Sequence, residues 1–150
     1  MKVNNVMTKN VGFCRETDNL ATAVGLMWQK DCGIVPILDT EDRVIGVITD
    51  RDVSIAVTTR NRAPSEISAA AMIIGKTITC SKNDSIKNVL KKMSKHQINR
   101  IPVVTKKGRL KGVISINDLL QMKKSKRFER QIFKTLKAIG KPSPILLREV

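Results

Sequence analysis

Residues 11–54 align with residues 77–120 at a constant offset of 66 and without a gap. Nine positions carry the same residue in both copies: Cys14/Cys80, Asp18/Asp84, Met27/Met93, Pro36/Pro102, Arg43/Arg109, Gly46/Gly112, Val47/Val113, Ile48/Ile114 and Asp52/Asp118. Other apolar positions match in character, such as Leu20/Ile86, Ile37/Val103 and Leu38/Val104. A chain that repeats in register builds one structural unit twice. The two copies are expected to pack about a pseudo-two-fold axis. A ligand then belongs between the copies, or at equivalent places on each.

Each copy shows the same order of signals. A short extended segment, Val11–Cys14 or Thr77–Cys80, leads through a polar turn to Asp18 or Asp84, placed as a helix N-cap. Helical spacing follows. Leu20, Val24, Met27 and Trp28 fall on one face, as do Ile86, Val89, Leu90 and Met93. That spacing assigns Trp28 to the core. Two strands come next, Ile34–Leu38 and Val44–Thr49 in the first copy, Ile101–Val104 and Leu110–Ser115 in the second. Each first strand carries a proline, which suits a strand beginning or edge because proline donates no ladder hydrogen bond. Short helices over Arg51–Thr59 and Asn117–Met122 close the units. The fold class is therefore α/β (α+β), two tandem β-α-β-β-α repeats about a pseudo-two-fold axis. Residues 1–60 form the first repeat, 61–76 a linker and the start of the second, and 77–122 the second repeat. Residues 123–150 form a basic helix and tail. In that helix Phe128, Ile132, Leu136 and Ile139 make an amphipathic stripe, and Gly140 and Pro142 stop it.

Charge divides the chain. Residues 1–75 hold 8 Lys/Arg against 9 Asp/Glu, whereas residues 76–150 hold 20 against 4. The basic half is either a solvated face or a positive field for phosphates, acidic partners or nucleic acid. With three Phe, one Trp and no Tyr, the core is aliphatic and base-stacking platforms are scarce. Cys14, Cys32 and Cys80 have no metal spacing, and the repeat places Cys14 and Cys80 as small buried apolar residues. An odd cysteine count and a start without an apolar export segment point to the cytoplasm. The longest apolar run, Ala69–Ile74, is too short to span a bilayer. His96 stands alone, without the neighbours that a metal or catalytic site needs. No Walker loop, nucleophile elbow or zinc spacing is present.

Each second strand runs into Gly-x-x-[Ser/Thr]-x-x-Asp. The first copy reads Gly46-Val47-Ile48-Thr49-Asp50-Arg51-Asp52, the second Gly112-Val113-Ile114-Ser115-Ile116-Asn117-Asp118. Thr49 with Asp52, and Ser115 with Asp118, have capping-box spacing. Capping explains the pairs but not the glycine before each.

These motifs, with Cys32-Gly33-Ile34-Val35-Pro36-Ile37 and Ile98-Asn99-Arg100-Ile101-Pro102-Val103, resemble a tandem pair of cystathionine-β-synthase (CBS) domains, the Bateman module, over roughly residues 3–122. The resemblance implies binding of adenosine-containing ligands (AMP, ADP, ATP or S-adenosylmethionine) in clefts between the copies. It implies that Asp52 and Asp118 accept hydrogen bonds from ribose hydroxyls, and that Thr49 and Ser115 contact phosphate or ribose. Backbone around Ile34, Val35 and Pro36, and around Asn99, Arg100, Ile101 and Pro102, would line the adenine slot. Arg100 matches a position that often reaches phosphate, and its counterpart is Ile34, so the Asp118 site is the better candidate for a phosphorylated ligand.

The expected function is a regulatory, non-enzymatic, ligand-sensing module. It requires no cofactor, takes an adenine nucleotide as its regulatory ligand, pairs as a homodimer and signals to an effector protein. The alternative is a nucleic-acid binder. It would use the basic half and the C-terminal helix, whose polar faces carry Lys123, Lys124, Lys126, Arg127, Arg130, Lys134 and Lys137. The same helix could bury its apolar stripe on the module or a dimer mate, or lie on an anionic membrane surface.

Overall fold

In the computed structural model, residues 1–122 and 125–142 are described. The first repeat contains β1 (Cys14–Arg15), α1 (Leu20–Lys30), β2 (Ile34–Leu38), β3 (Val44–Thr49) and α2 (Asp50–Arg60). The second contains β4 (Cys80–Ser81), α3 (Ile86–His96), β5 (Arg100–Val104), β6 (Leu110–Ser115) and α4 (Ile116–Leu120), and α5 (Lys126–Ile139) follows. Each repeat holds a three-stranded sheet, ordered β1-β2-β3 or β4-β5-β6. The offset of the sequence survives in the pairing: Cys14 sits opposite Ile37 and Cys80 opposite Val103. Even the register irregularity recurs, between Ile37 and Leu38 and between Val103 and Val104.

The sequence places both prolines at a strand beginning or edge. Pro36 and Pro102 lie instead at the middle of the central strands β2 and β5. They are tolerated because β1 reaches only Ile37 and Leu38, and β4 only Val103 and Val104. The first half of each central strand thus lacks a neighbour on that side.

The helix starts differ from expectation by one residue. Asn19 caps α1, its side chain accepting from the Thr22 amide at 3.0 Å, and Ser85 caps α3 through the Asn88 amide at 3.2 Å. Asp18 and Asp84 instead brace the preceding turns, accepting from the amides of Arg15 at 2.7 Å and Ser81 at 3.2 Å. Both helices end on a left-handed residue, Asp31 or Gln97, the usual geometry of a C-terminal cap.

Two hairpin tips join the repeats. The Val44 amide donates to the Gly108 carbonyl at 3.0 Å and the Leu110 amide to the Asp42 carbonyl at 3.1 Å. The bonds are related by the repeat offset, so the pseudo-two-fold axis passes between Arg43 and Arg109. Each repeat also borrows a segment from ahead of the other. Val3 and Met7 enter the core of the second repeat, and Ile67 and Ala69 that of the first. Ile86 donates to the Met1 carbonyl at 3.1 Å, and Leu20 to the Ile67 carbonyl at 3.0 Å.

This exchange explains the motif glycines. Thr8 and Val113 bond both ways as a bridge over β6, and a Cβ on Gly112 would collide with the Thr8 carbonyl oxygen. A Cβ on Gly46 would come within 2.9 Å of the Ile73 side chain. The glycines thus admit the crossing segment.

Cys14 and Cys80 are buried, as the repeat implies. Burial pushes the Cys14 thiol up to about 11, with Asp18 adding to it. Burial pushes Cys80 up to about 12, with Lys92 opposing and Asp84 adding.

Ser125 caps α5, which docks on the second repeat through Ile132 and Thr135. Phe128 and Ile139 are half-buried there, but Leu136 stays 38% exposed. Thr135 takes the inward place beside it because Ser94 donates to its hydroxyl at 3.2 Å. Lys123 and Lys124, read above as part of this helix, lie outside the described residues. Among the described residues no helix is long and apolar enough to cross a membrane.

Candidate functional site

A cleft of about 760 Å³ opens between the repeats. One wall is the junction of β6 and α4, which contributes Ser115, Asn117 and Asp118. The other is the end of α1 and the start of β2, with Trp28, Lys30, Asp31, Cys32, Gly33 and Ile34. Arg100 and Asp50 both reach over Gly33 without pairing. Their nearest atoms, Nη2 and Oδ2, lie 3.0 Å and 2.8 Å from where its Cβ would stand. A side chain at Gly33 would occupy the space that separates the two charges.

Both capping boxes form. Asp118 Oδ2 accepts from the Ser115 amide at 2.7 Å and from its hydroxyl at 2.8 Å. Asp52 Oδ2 accepts from the Thr49 amide at 3.0 Å and from its hydroxyl at 2.6 Å. In each carboxylate the cap uses one oxygen, and among the described residues Oδ1 accepts no hydrogen bond. Capping and ligand binding are therefore compatible in one side chain, because an ionised carboxylate offers about four acceptor sites.

Of the residues named from the sequence, Ile34, Arg100, Ser115 and Asp118 line this cleft. Thr49 and Asp52 form the corresponding junction of the first repeat, away from its walls. Val35, Pro36, Ile101 and Pro102 are buried in their sheets. Asn99 is exposed, its carbonyl accepting from the Ile116 amide at 2.8 Å and its side chain from Arg100 Nη1 at 3.4 Å.

Trp28 overturns its expected place in the core: it is 88% exposed at the cleft. Helical spacing misleads here because Trp28 lies beside Met27 near the helix end, where the buried face has turned away. The repeat carried a usable signal, since its counterpart is the polar Ser94. Asp50 and Cys32 were also missed as lining residues. Their neighbours were known, but which neighbours turn toward the cleft depends on how the repeats meet. Cys32 is half-buried, its thiol 3.5 Å from the Ile34 carbonyl oxygen.

The corresponding rim of the second repeat is built differently. Ser94 bonds Thr135, and Gln97 Nε2 donates to the carbonyls of Ala138 at 3.2 Å and Lys141 at 2.9 Å. There α5 and the residues after it cover what Trp28 and Asp31 leave open in the first.

Residues 3–58 and 70–124 each match the CBS domain family. Hypoxic response protein 1 of Mycobacterium tuberculosis is 30% identical over 114 residues, which cover 76% of this chain and 79% of that protein. A crystal structure of hypoxic response protein I with two coordinated zinc ions superposes with a TM-score of 0.75 at 28% identity, covering 83% of this chain and 100% of that one. Among the described residues no group of three or more His, Cys, Asp or Glu side chains is placed to hold a metal ion. A CBS domain protein from Pyrobaculum aerophilum complexed with AMP superposes with a TM-score of 0.74 at 22% identity, covering 89% and 99% of the two chains. The chain spans 24% of homoserine O-acetyltransferase of Methanococcus vannielii, to which it is 31% identical over 117 residues.

Proposed function

The chain belongs to the CBS domain family, and on that premise we propose that it is a regulatory module whose Asp118 cleft binds an adenine nucleotide. The observation that carries this reading is the composition of the cleft. A carboxylate with an unused oxygen, an exposed indole and a guanidinium line one space of about 760 Å³. Asp118 Oδ1 accepts from ribose hydroxyls while Oδ2 holds the cap. Trp28 stacks on the base, an interaction worth about 1–3 kcal/mol in nucleic-acid sites. Arg100 and Lys30 face the phosphates, and charge assistance roughly doubles the strength of such bonds. The AMP complex of the Pyrobaculum aerophilum protein supports the ligand class.

Regulation requires the nucleotide to bind two states of the module with different affinity. The two states differ in how the repeats meet at the cleft, and the response passes to an effector protein or across a homodimer. That the chain matches only 24% of a longer protein named homoserine O-acetyltransferase fits a regulatory rather than a catalytic part.

Calorimetric titration of AMP, ADP and ATP at physiological salt tests the reading. Wild type is expected to saturate at one strong site, with Asp118→Asn weakening it at least tenfold. Asn keeps an oxygen for the cap, so the fold persists. Absence of binding, or binding indifferent to Asp118→Asn, would leave Asp118 as a helix cap alone.

A further inference from the structure

A second feature lies on the side of the second repeat, where α5 docks on α3. A trough of about 440 Å³ runs between these helices. Lys87, Lys91 and Lys95 line it from α3 and Lys134 from α5, and no carboxylate is among its lining residues. All four lysines are exposed. None takes part in an ion pair among the described residues, where the pairs involve Arg15, Arg43 and Lys92. Four like charges along one trough set up a positive field that favours an anion there. The rest of α5 adds Lys126, Arg127, Arg130 and Lys137 against the single acid Glu129.

The spacing selects a kind of anion. Residues four apart on a helix rise about 6 Å. Lys87 to Lys95 therefore spans about 12 Å, over which one strand of a duplex presents about three to four phosphates. A single phosphate would meet only one or two of these lysines. The trough carries no aromatic side chain, so it has no platform for unpaired bases. It is also concave, with lysines at its rims and Leu90 and Ala138 at its floor, whereas a bilayer surface favours an amphipathic helix that presents an apolar face outward. On α5, Ile132 is already buried against the second repeat, and the exposed Phe133 and Leu136 lie outside the lining of the trough.

We infer that the trough between α3 and α5 binds the phosphate backbone of double-stranded nucleic acid, with Lys87, Lys91, Lys95 and Lys134 as the contacts. Binding is not sequence-specific, because contacts to phosphate position a protein without reading bases. The site is separate from the Asp118 cleft and stands whether or not that cleft takes a nucleotide.

The test is fluorescence anisotropy of a labelled 24-base-pair DNA duplex (a length of about two helical turns) with the full chain, over a salt series. Four phosphate contacts predict a log–log salt slope of about −3.6, hence a loss of about 150-fold between 50 and 200 mM salt. The variant K91Q/K95Q/K134Q is expected to reduce the slope to about −0.9. The control R60Q/R62Q/K76Q, which removes as much charge from exposed positions elsewhere, should leave the slope unchanged. The proposal is overturned by no duplex binding at 50 mM salt, or by equal losses in both variants, which would mean attraction to net charge alone. Co-sedimentation with phosphatidylserine vesicles without duplex binding would also overturn it, in favour of a membrane surface. All substituted residues are exposed, and circular dichroism melts check that both variants stay folded.

Discussion

The two repeats share strands, register and capping boxes, yet they differ in what happens to the outer face of the helix pair. In the second repeat α4 is a five-residue stub and α5 packs on α3. In the first repeat α2 runs for 11 residues and nothing in the described chain plays the role of α5. The consequence is visible at equivalent positions. Leu90 is 4% exposed, whereas Val24 is 40% exposed. Ser94 bonds α5, whereas Trp28 stands open at the cleft. One structural unit was thus specialised twice, once toward a covered, basic face and once toward an open rim with an aromatic. The difference arises from the residues attached to each copy rather than from the shared frame.

The widest separation between the copies is expected in stability. Leu90→Ala should cost about 3 kcal/mol because it opens a cavity beneath α5, whereas Val24→Ala should stay within about 0.5 kcal/mol. Equal losses in urea unfolding would show that the α1 face is covered in solution, by a second copy or another partner. A smaller contrast should separate the glycines. Gly112→Ala meets the backbone of Thr8 and is expected to cost about 2–3 kcal/mol. Gly46→Ala meets the side chain of Ile73, which can turn aside, and should cost about 1 kcal/mol. A reversed order would mean that the crossing segment at Thr8 yields more readily than Ile73.

At the cleft, Arg100→Ala should weaken ATP about tenfold and adenosine less than threefold, since Arg100 is assigned to phosphate. Ile34→Ala at the equivalent position should affect the two ligands alike. Equal losses of ATP and adenosine in Arg100→Ala would remove the phosphate assignment. Thiol chemistry supplies a finer probe. Cys32 should react with a maleimide before Cys14 and Cys80, which are buried, and bound AMP should slow it. Mass spectrometry of the labelled peptides reads both effects.

The smallest expected effect is on pH dependence. The folded chain holds the Cys14 and Cys80 protons more tightly than the ordinary thiol value of 9.0. Their contribution is therefore complete below pH 9. It declines as pH rises, through about 11 for Cys14 and about 12 for Cys80. Cys80→Ala should flatten the upper part of that decline. An unchanged alkaline profile would show that Cys80 does not contribute.

Much of the frame is legible because local chemistry and repetition agree. The apolar strands Val44–Thr49 and Leu110–Ser115 and the four-residue capping boxes are short-range facts, and the structure reproduces them. Errors of one residue, as at Asp18 and Asp84, arise where neighbouring polar residues compete for the same cap. Trp28 shows a different limit. Its helix forms where the spacing places it, but the position of the burial boundary at the end of a helix depends on what lies across from it. Ser115 and Asp118 were paired from spacing alone. That they share a cleft with Trp28 and Asp50, which lie 65 to 90 residues away along the chain, follows only from the way the repeats face each other.

By itself, then, the amino-acid order determined the unit: its strands, helices and caps, its duplication at a fixed offset, and the concentration of positive charge in the second half. These depend on periodicity and on contacts within a few residues. The tertiary structure alone decided that each copy completes the other with a borrowed segment. It also placed Trp28 at an open rim, and set α5 against α3 so that lysines from two helices share one trough. Those outcomes are contacts between distant segments, and side-chain periodicity carries no information about which face meets which partner.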